Sequence, residues 1–145
     1  MNDALISLKP QYAEKILQGC KTAELRTRAV NLVAGSRLWI YSTIPRARIE
    51  VVTVVVSTHS GTPEEIWKKY SKQICINKNE FDAYVQGYEK VYVILMSCPK
   101  RLSPAPDLNY LRSIIGGFHP PQFIKKLSGE NPLSKYLLSL TTCNI

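Results

Sequence analysis

No stretch of this 145-residue chain is apolar for long enough to cross a membrane. No strictly aliphatic run exceeds three residues; Val54-Val55-Val56 is one, extended only to residues 51–56 if Thr53 is admitted, whereas a span needs about 20 apolar residues. Met1-Asn2-Asp3-Ala4 has neither the basic region nor the apolar region of a secretory leader. An intracellular, cytoplasmic protein with no membrane partner is therefore expected. There is no Gly-x-Gly-x-x-Gly and no Walker loop, which excludes the common dinucleotide and nucleoside-triphosphate folds. Histidine is limited to His59 and His119. His59 has no acid placed to complete a triad and is expected at the surface, and His119 is expected to pack within its loop. The four cysteines, Cys20, Cys75, Cys98 and Cys143, form no Cys-x-x-Cys pair. Without zinc-ligand spacing they are expected to be reduced thiols, buried except for Cys20, with no metal and no cofactor.

What is present is an ordinary globular composition, 45% hydrophobic and 21% charged. A chain of this length can bury roughly 68–70% of its unfolded surface without metal or disulfide, so a single domain over residues 1–145 is expected. Charge is the first informative quantity. Lys and Arg number 19 against 11 acids, a net charge of +8. Residues 25–49 contain Arg26, Arg28, Arg37, Arg46 and Arg48 and no acid. Such a stripe suits a polyanion, and arginine favours forked contact with phosphate or a base edge. It also suits a solvated basic surface.

Periodicity gives the elements. Residues 3–9 read as a strand closed by Pro10, which opens a helix with Ala13, Ile16 and Leu17 on one face and Gly19 as its stop. Residues 22–28 alternate, with Ala23 and Leu25 on one face and Thr22, Glu24, Arg26 and Arg28 on the other. Strands are expected over 37–41 and 48–56, the second apolar on both faces as a central strand is. Thr62-Pro63-Glu64-Glu65 is a helix-opening capping box, followed by Ile66, Trp67 and Tyr70. Asn77 caps the next helix, whose inward face is Phe81, Tyr84 and Val85, and Gly87 ends it. Residues 90–97 form a strand, and after Pro99 only helical turns are expected, one of them capped by Asp107. The order β-α-β-β-β-α-α-β predicts an α+β chain built on a small mixed β-barrel with flanking helices.

Residues 4–26 are similar to the opening of the ASCH domain family. The hallmark Gly-x-Lys-x-x-Glu-x-Arg is present as Gly19, Lys21, Glu24 and Arg26. Val33-Ala34-Gly35, with the strand that follows, resembles the family's Pro-Gly-Asp turn, Ala34 and Ser36 being departures. The resemblance covers residues 4–98, with 99–145 as a helical C-terminal extension. Phe118-His119-Pro120-Pro121-Gln122 is similar to a Phe-x-Pro-Pro-Gln stretch of one prokaryotic subgroup. The resemblance implies a PUA-like barrel and binding of RNA or a modified nucleoside near the motif. It also raises amidohydrolase activity on N4-acetylcytidine, or nuclease activity. The amidohydrolase set is a motif lysine, a hydroxyl residue and a later glutamate. Here Lys21 matches, the hydroxyl position holds Glu24, and the later region reads Gln73-Ile74-Cys75-Ile76, leaving Thr22 and Glu80 as substitutes.

Read from the residues alone, Glu24 and Arg26 lie two apart on one strand, about 7 Å from each other on one face. They can form a structural ion pair, or bracket a base with acceptor and donor. The expected nucleic-acid site is Lys9, Lys21, Glu24, Arg26, Arg28, Tyr41, Ser42, Arg46 and Arg48. Tyr41 is there to stack a base and Ser42 to touch phosphate. Lys21 and Glu24 are the catalytic candidates if the protein is a hydrolase. A third possibility is a basic interaction module for an acidic protein.

Overall fold

The computed structural model describes residues 3–142. The elements are β1 (Asp3–Leu8), α1 (Pro10–Leu17), β2 (Ala23–Arg26), β3 (Arg37–Ser42), β4 (Arg48–Gly61), α2 (Pro63–Ile74), α3 (Lys78–Val85), β5 (Val91–Arg101), α4 (Leu108–Ile114), β6 (Lys125–Leu127) and α5 (Pro132–Thr142). All six strands join one mixed sheet in the order β2-β5-β4-β3-β1-β6, and the architecture is α+β. β1 runs parallel to β3, placing Ile6 opposite Ile40, and the remaining pairs are antiparallel. Among the described residues no helix is long and apolar enough to cross a membrane.

The caps form as the sequence predicts. Thr62 Oγ1 accepts the Glu65 N–H at 3.2 Å, Asn77 Oδ1 accepts Glu80 N–H at 2.8 Å, and Asp107 Oδ1 accepts Tyr110 N–H at 2.8 Å. Each such cap is worth about 1 kcal/mol.

Alternation along β1 and β3 divides the sheet's apolar residues between two layers. On one side Ala4, Ile6, Leu8, Leu38 and Ile40 pack with Ala13 and Ile16 of α1. On the other, Leu5, Trp39 and Tyr41 pack with Leu111, Phe118, Leu127, Leu133 and Leu137 from the C-terminal third. A third cluster seats β2 through Ala23 and Leu25 on α2 and α3, using Ile66, Tyr70, Ile74, Phe81 and Val85. That cluster fixes the motif strand against the helices that wall the site.

Several expectations are corrected. The barrel does not close: the sheet ends on β2 and β6, and no pairing joins those edges among the described residues. β6 has only three residues and covers only Asp3, Ala4 and Leu5 of β1, so it is too short to bridge the gap. The region after β5 holds this strand as well as helices. β4 runs on to Gly61, and β5 continues through Pro99 to Arg101. The ladder shifts register opposite Thr53, where Cys98 adopts a φ of 52°. Cys98 is consequently exposed, not buried, and Cys143 lies outside the described residues. Tyr84 and His119 are exposed instead of packed.

Candidate functional site

The site begins where α1 stops. Gly19 takes a φ of +84°, the left-handed conformation that favours glycine, and a Cβ there would meet nothing within 4 Å. Its role is therefore conformational. The Lys15 carbonyl accepts the N–H groups of Cys20 and Lys21 at 3.0 and 3.1 Å, turning the chain sharply into β2.

Lys21 enters the protein at this turn and is 3% exposed. Its Nζ donates to the Ile74 carbonyl at 2.9 Å, lies 3.4 Å from Glu24 Oε1 and sits 5.5 Å from the Tyr12 ring centre. Glu24 Oε2 is 3.1 Å from Arg26 Nη2. The same Nη2 donates to the Ser7 carbonyl at 3.3 Å, while Arg26 Nε is buried with no hydrogen-bond partner. Two cations thus flank one carboxylate. Partners on several sides hold the groups in one geometry, and such buried networks contribute orientation more reliably than stability.

Opposite this wall, Tyr12 donates its hydroxyl to Glu80 Oε2 at 2.8 Å, and Asn77 Nδ2 donates to Glu80 Oε1 at 2.8 Å. The bond to Glu80, then burial, raises the Tyr12 phenol above the usual tyrosine value. Burial does the same for Tyr84, against the nearby Arg26 charge. Both phenols are therefore neutral at physiological pH, Tyr12 donating to Glu80 and Tyr84 accepting from Thr27.

Between these walls lies a cavity of about 640 Å³, lined by Lys9, Lys21, Glu24, Arg26, Glu80 and Tyr84, among others. This is within the range of small-ligand sites. Arg26 and Tyr84 also wall a second cavity of about 630 Å³, with Arg28, Gln122 and Phe123 on its far side. Among the described residues, no group of three His, Cys, Asp or Glu is placed to hold a metal ion.

Of the residues expected from sequence, Lys9, Lys21, Glu24 and Arg26 line the first cavity and Arg28 the second. Tyr41, Ser42, Arg46 and Arg48 line neither. Tyr41 is packed beneath the C-terminal layer, where burial raises its phenol above the ordinary value, and Ser42 is fully buried. Arg46 is tied to Glu50 at 2.7 Å, and Arg48 Nε donates to the Arg46 carbonyl at 3.3 Å. The residues missed were Tyr12, Tyr84, Gln122 and Phe123. Tyr84 shares helical spacing with Phe81 and Val85, and that spacing does not separate a core face from a cleft wall at its margin.

A family model described as a domain of unknown function, DUF365, matches residues 5–108. The ASCH domain-containing ribonuclease of Zymomonas mobilis is 29% identical over 140 residues, 97% of this chain and 93% of that protein. The chain belongs to the DUF365 family and is an ASCH domain protein. The crystal structure of ASCH from Zymomonas mobilis has a TM-score of 0.88 at 28% identity, covering 95% of this chain and 94% of that one. Human THYN1, solved with DNA containing 5-methylcytosine, has a TM-score of 0.57 at 10% identity over 100% of this chain and 99% of that one. This second likeness is one of fold alone. The ASCH fold here is PUA-like, as the motif implied, with its hallmark Lys21, Glu24 and Arg26 gathered on one cavity wall.

Proposed function

We propose that this protein binds RNA, placing one base in the cavity beside Lys21, Glu24 and Arg26. The observation that carries the reading is the fixed acceptor–donor wall: a carboxylate held at 3.1 Å from a guanidinium whose Nε has no partner of its own. Such a pair matches the mixed donor and acceptor edge of a base. Lys9 at the rim and Arg28 beyond it supply cations for the backbone phosphates. The full-length likeness to a protein named as a ribonuclease supports RNA as the polyanion.

That likeness also favours a second reading, RNA hydrolysis. Lys21 and Glu24 are buried, whereas Glu80 is exposed and Tyr12 half-buried, so the first pair suits positioning better than proton transfer. The pair fit for proton transfer is Glu80 and Tyr12, a carboxylate and a phenol 2.8 Å apart at the cavity edge. Glu80 would take the proton of a 2′-hydroxyl as that oxygen bonds to the adjacent phosphorus. Tyr12 would donate its own proton to the departing 5′-oxygen, leaving a 2′,3′-cyclic phosphate.

One experiment separates the readings: titration of RNA over a range of salt concentrations, with product analysis of each mixture. The log–log slope of affinity against salt is expected near −0.7 per neutralised phosphate on single strands. Glu24→Gln is expected to lose about 1–3 kcal/mol of discrimination between bases while keeping phosphate-driven affinity. For a hydrolase, Glu80→Gln reduces turnover at least about 100-fold at unchanged binding. Affinity that ignores salt would sink RNA binding, and intact RNA after long incubation would sink hydrolysis.

A further inference from the structure

The proposed base site accounts for the first cavity and leaves the second unused. Arg26, Arg28, Tyr84, Gln122 and Phe123 are among its lining residues, and the lining contains no acid. The Arg28 guanidinium carbon sits 3.8 Å from the centre of the Phe123 ring, so the cation is stacked on one face of the ring. Phe123 remains 48% exposed and borders the cavity, so its ring is within reach of a ligand. Arg28 forms no ion pair among the described residues, so its charge is available to a ligand. Tyr84, 44% exposed, stands on the boundary and belongs to both cavities, its hydroxyl bonded to Thr27.

We infer that the second cavity is a subsite for the adjacent nucleotide of the same strand, its base extending the Arg28–Phe123 stack on an outer face. The inference rests on the RNA-binding reading of the first cavity. Three observations define the ligand. The two cavities are of similar size and share Arg26 and Tyr84, so they are sequential compartments along one path. The stack combines an aromatic ring with a guanidinium that has no acidic partner among the described residues, the combination by which proteins hold unpaired bases and their phosphates. Gln122 adds an amide able both to donate and to accept at a base edge. A ligand that occupies both compartments has two unstacked bases separated by Tyr84. The substrate class is therefore a single-stranded segment of at least two nucleotides. A free nucleoside would fill only one compartment, and a duplex would keep its bases stacked on one another.

The test compares three probes at fixed ionic strength: a mononucleotide, a dinucleotide, and a dinucleotide of the same charge lacking its second base. The sugar between the two phosphates is 2′-deoxy, so that no cleavage intervenes. The complete dinucleotide is expected to bind about tenfold or more tightly than the abasic one. Phe123→Ala should erase that advantage and leave mononucleotide affinity unchanged. Because Phe123 is half-exposed, the variant is expected to keep the wild-type melting temperature, which is measured alongside. Equal affinity of complete and abasic dinucleotides would overturn the subsite while leaving the first cavity's reading intact. So would a Phe123→Ala loss shared by all three probes. Failure of wild-type protein to bind any probe or longer RNA would overturn both.

Discussion

Cut after Asp107, the chain is expected to lose its cooperative unfolding transition. Leu111, Phe118, Leu127, Leu133 and Leu137, none more than 5% exposed, cover Leu5, Trp39, Tyr41, Ile49 and Val52 on one face of the sheet. Burying side chains of this kind contributes roughly 1.5–3 kcal/mol each. Five of them amount to roughly 8–15 kcal/mol, comparable with the entire stability of an ordinary domain. The truncation also removes β6, the outer partner of β1. Urea denaturation followed by tryptophan fluorescence checks this directly, since Trp39 lies under the removed layer. A sharp transition near the full-length midpoint would show that the C-terminal third is an appendage on a self-sufficient core.

The second large effect is expected at Lys21. Lys21→Ala removes the ammonium between the Ile74 carbonyl and Glu24, leaving both with an unmet partner inside the wall. Breaking a buried pair from one side typically costs about 3–5 kcal/mol. Arg26 still neutralises Glu24 here, so the lower end, about 3 kcal/mol, is expected. Lys21→Met combined with Glu24→Met removes both charges and is expected to cost less than the sum of the two single changes, with coupling of about 0.5–3 kcal/mol. Denaturant unfolding of the four proteins measures that cycle. A Lys21→Ala cost within about 0.5 kcal/mol would place the ammonium in solvent and dissolve the argument for a rigid wall.

These effects fall on residues whose legibility in the sequence differs. Lys21, Glu24 and Arg26 could be placed because a glycine stop and a short alternating strand are local signals, and the neighbouring caps at Thr62, Asn77 and Asp107 were local as well. The C-terminal layer was not legible. β6 is a Lys-Lys-Leu segment with one apolar residue, and its strand character comes entirely from pairing with β1. That Tyr41 and Ser42 lie buried and line neither cavity was not legible either. The two are consecutive in β3 and point to opposite faces, and the layer that covers Tyr41 arrives from residues far along the chain. Arg46 and Arg48 share a basic run with Arg26 and Arg28, but a run of like charge does not say which members already have partners. Arg46 has one in the buried Glu50.

The open seam between β2 and β1 bears on motion. Among the described residues a guanidinium bond, from Arg26 to the Ser7 carbonyl at 3.3 Å, crosses it where a row of ladder bonds would otherwise run. Parting the two strands there disturbs little of the surrounding hydrogen bonding, so sub-global opening should have a low free energy. Backbone amides of β2 would then trade with deuterium faster than those of β3 and β4, which are paired on both sides. A ligand gripping Arg26 acts as a stitch across this seam. Slower amide exchange in β2 would report its arrival even when no atom moves appreciably.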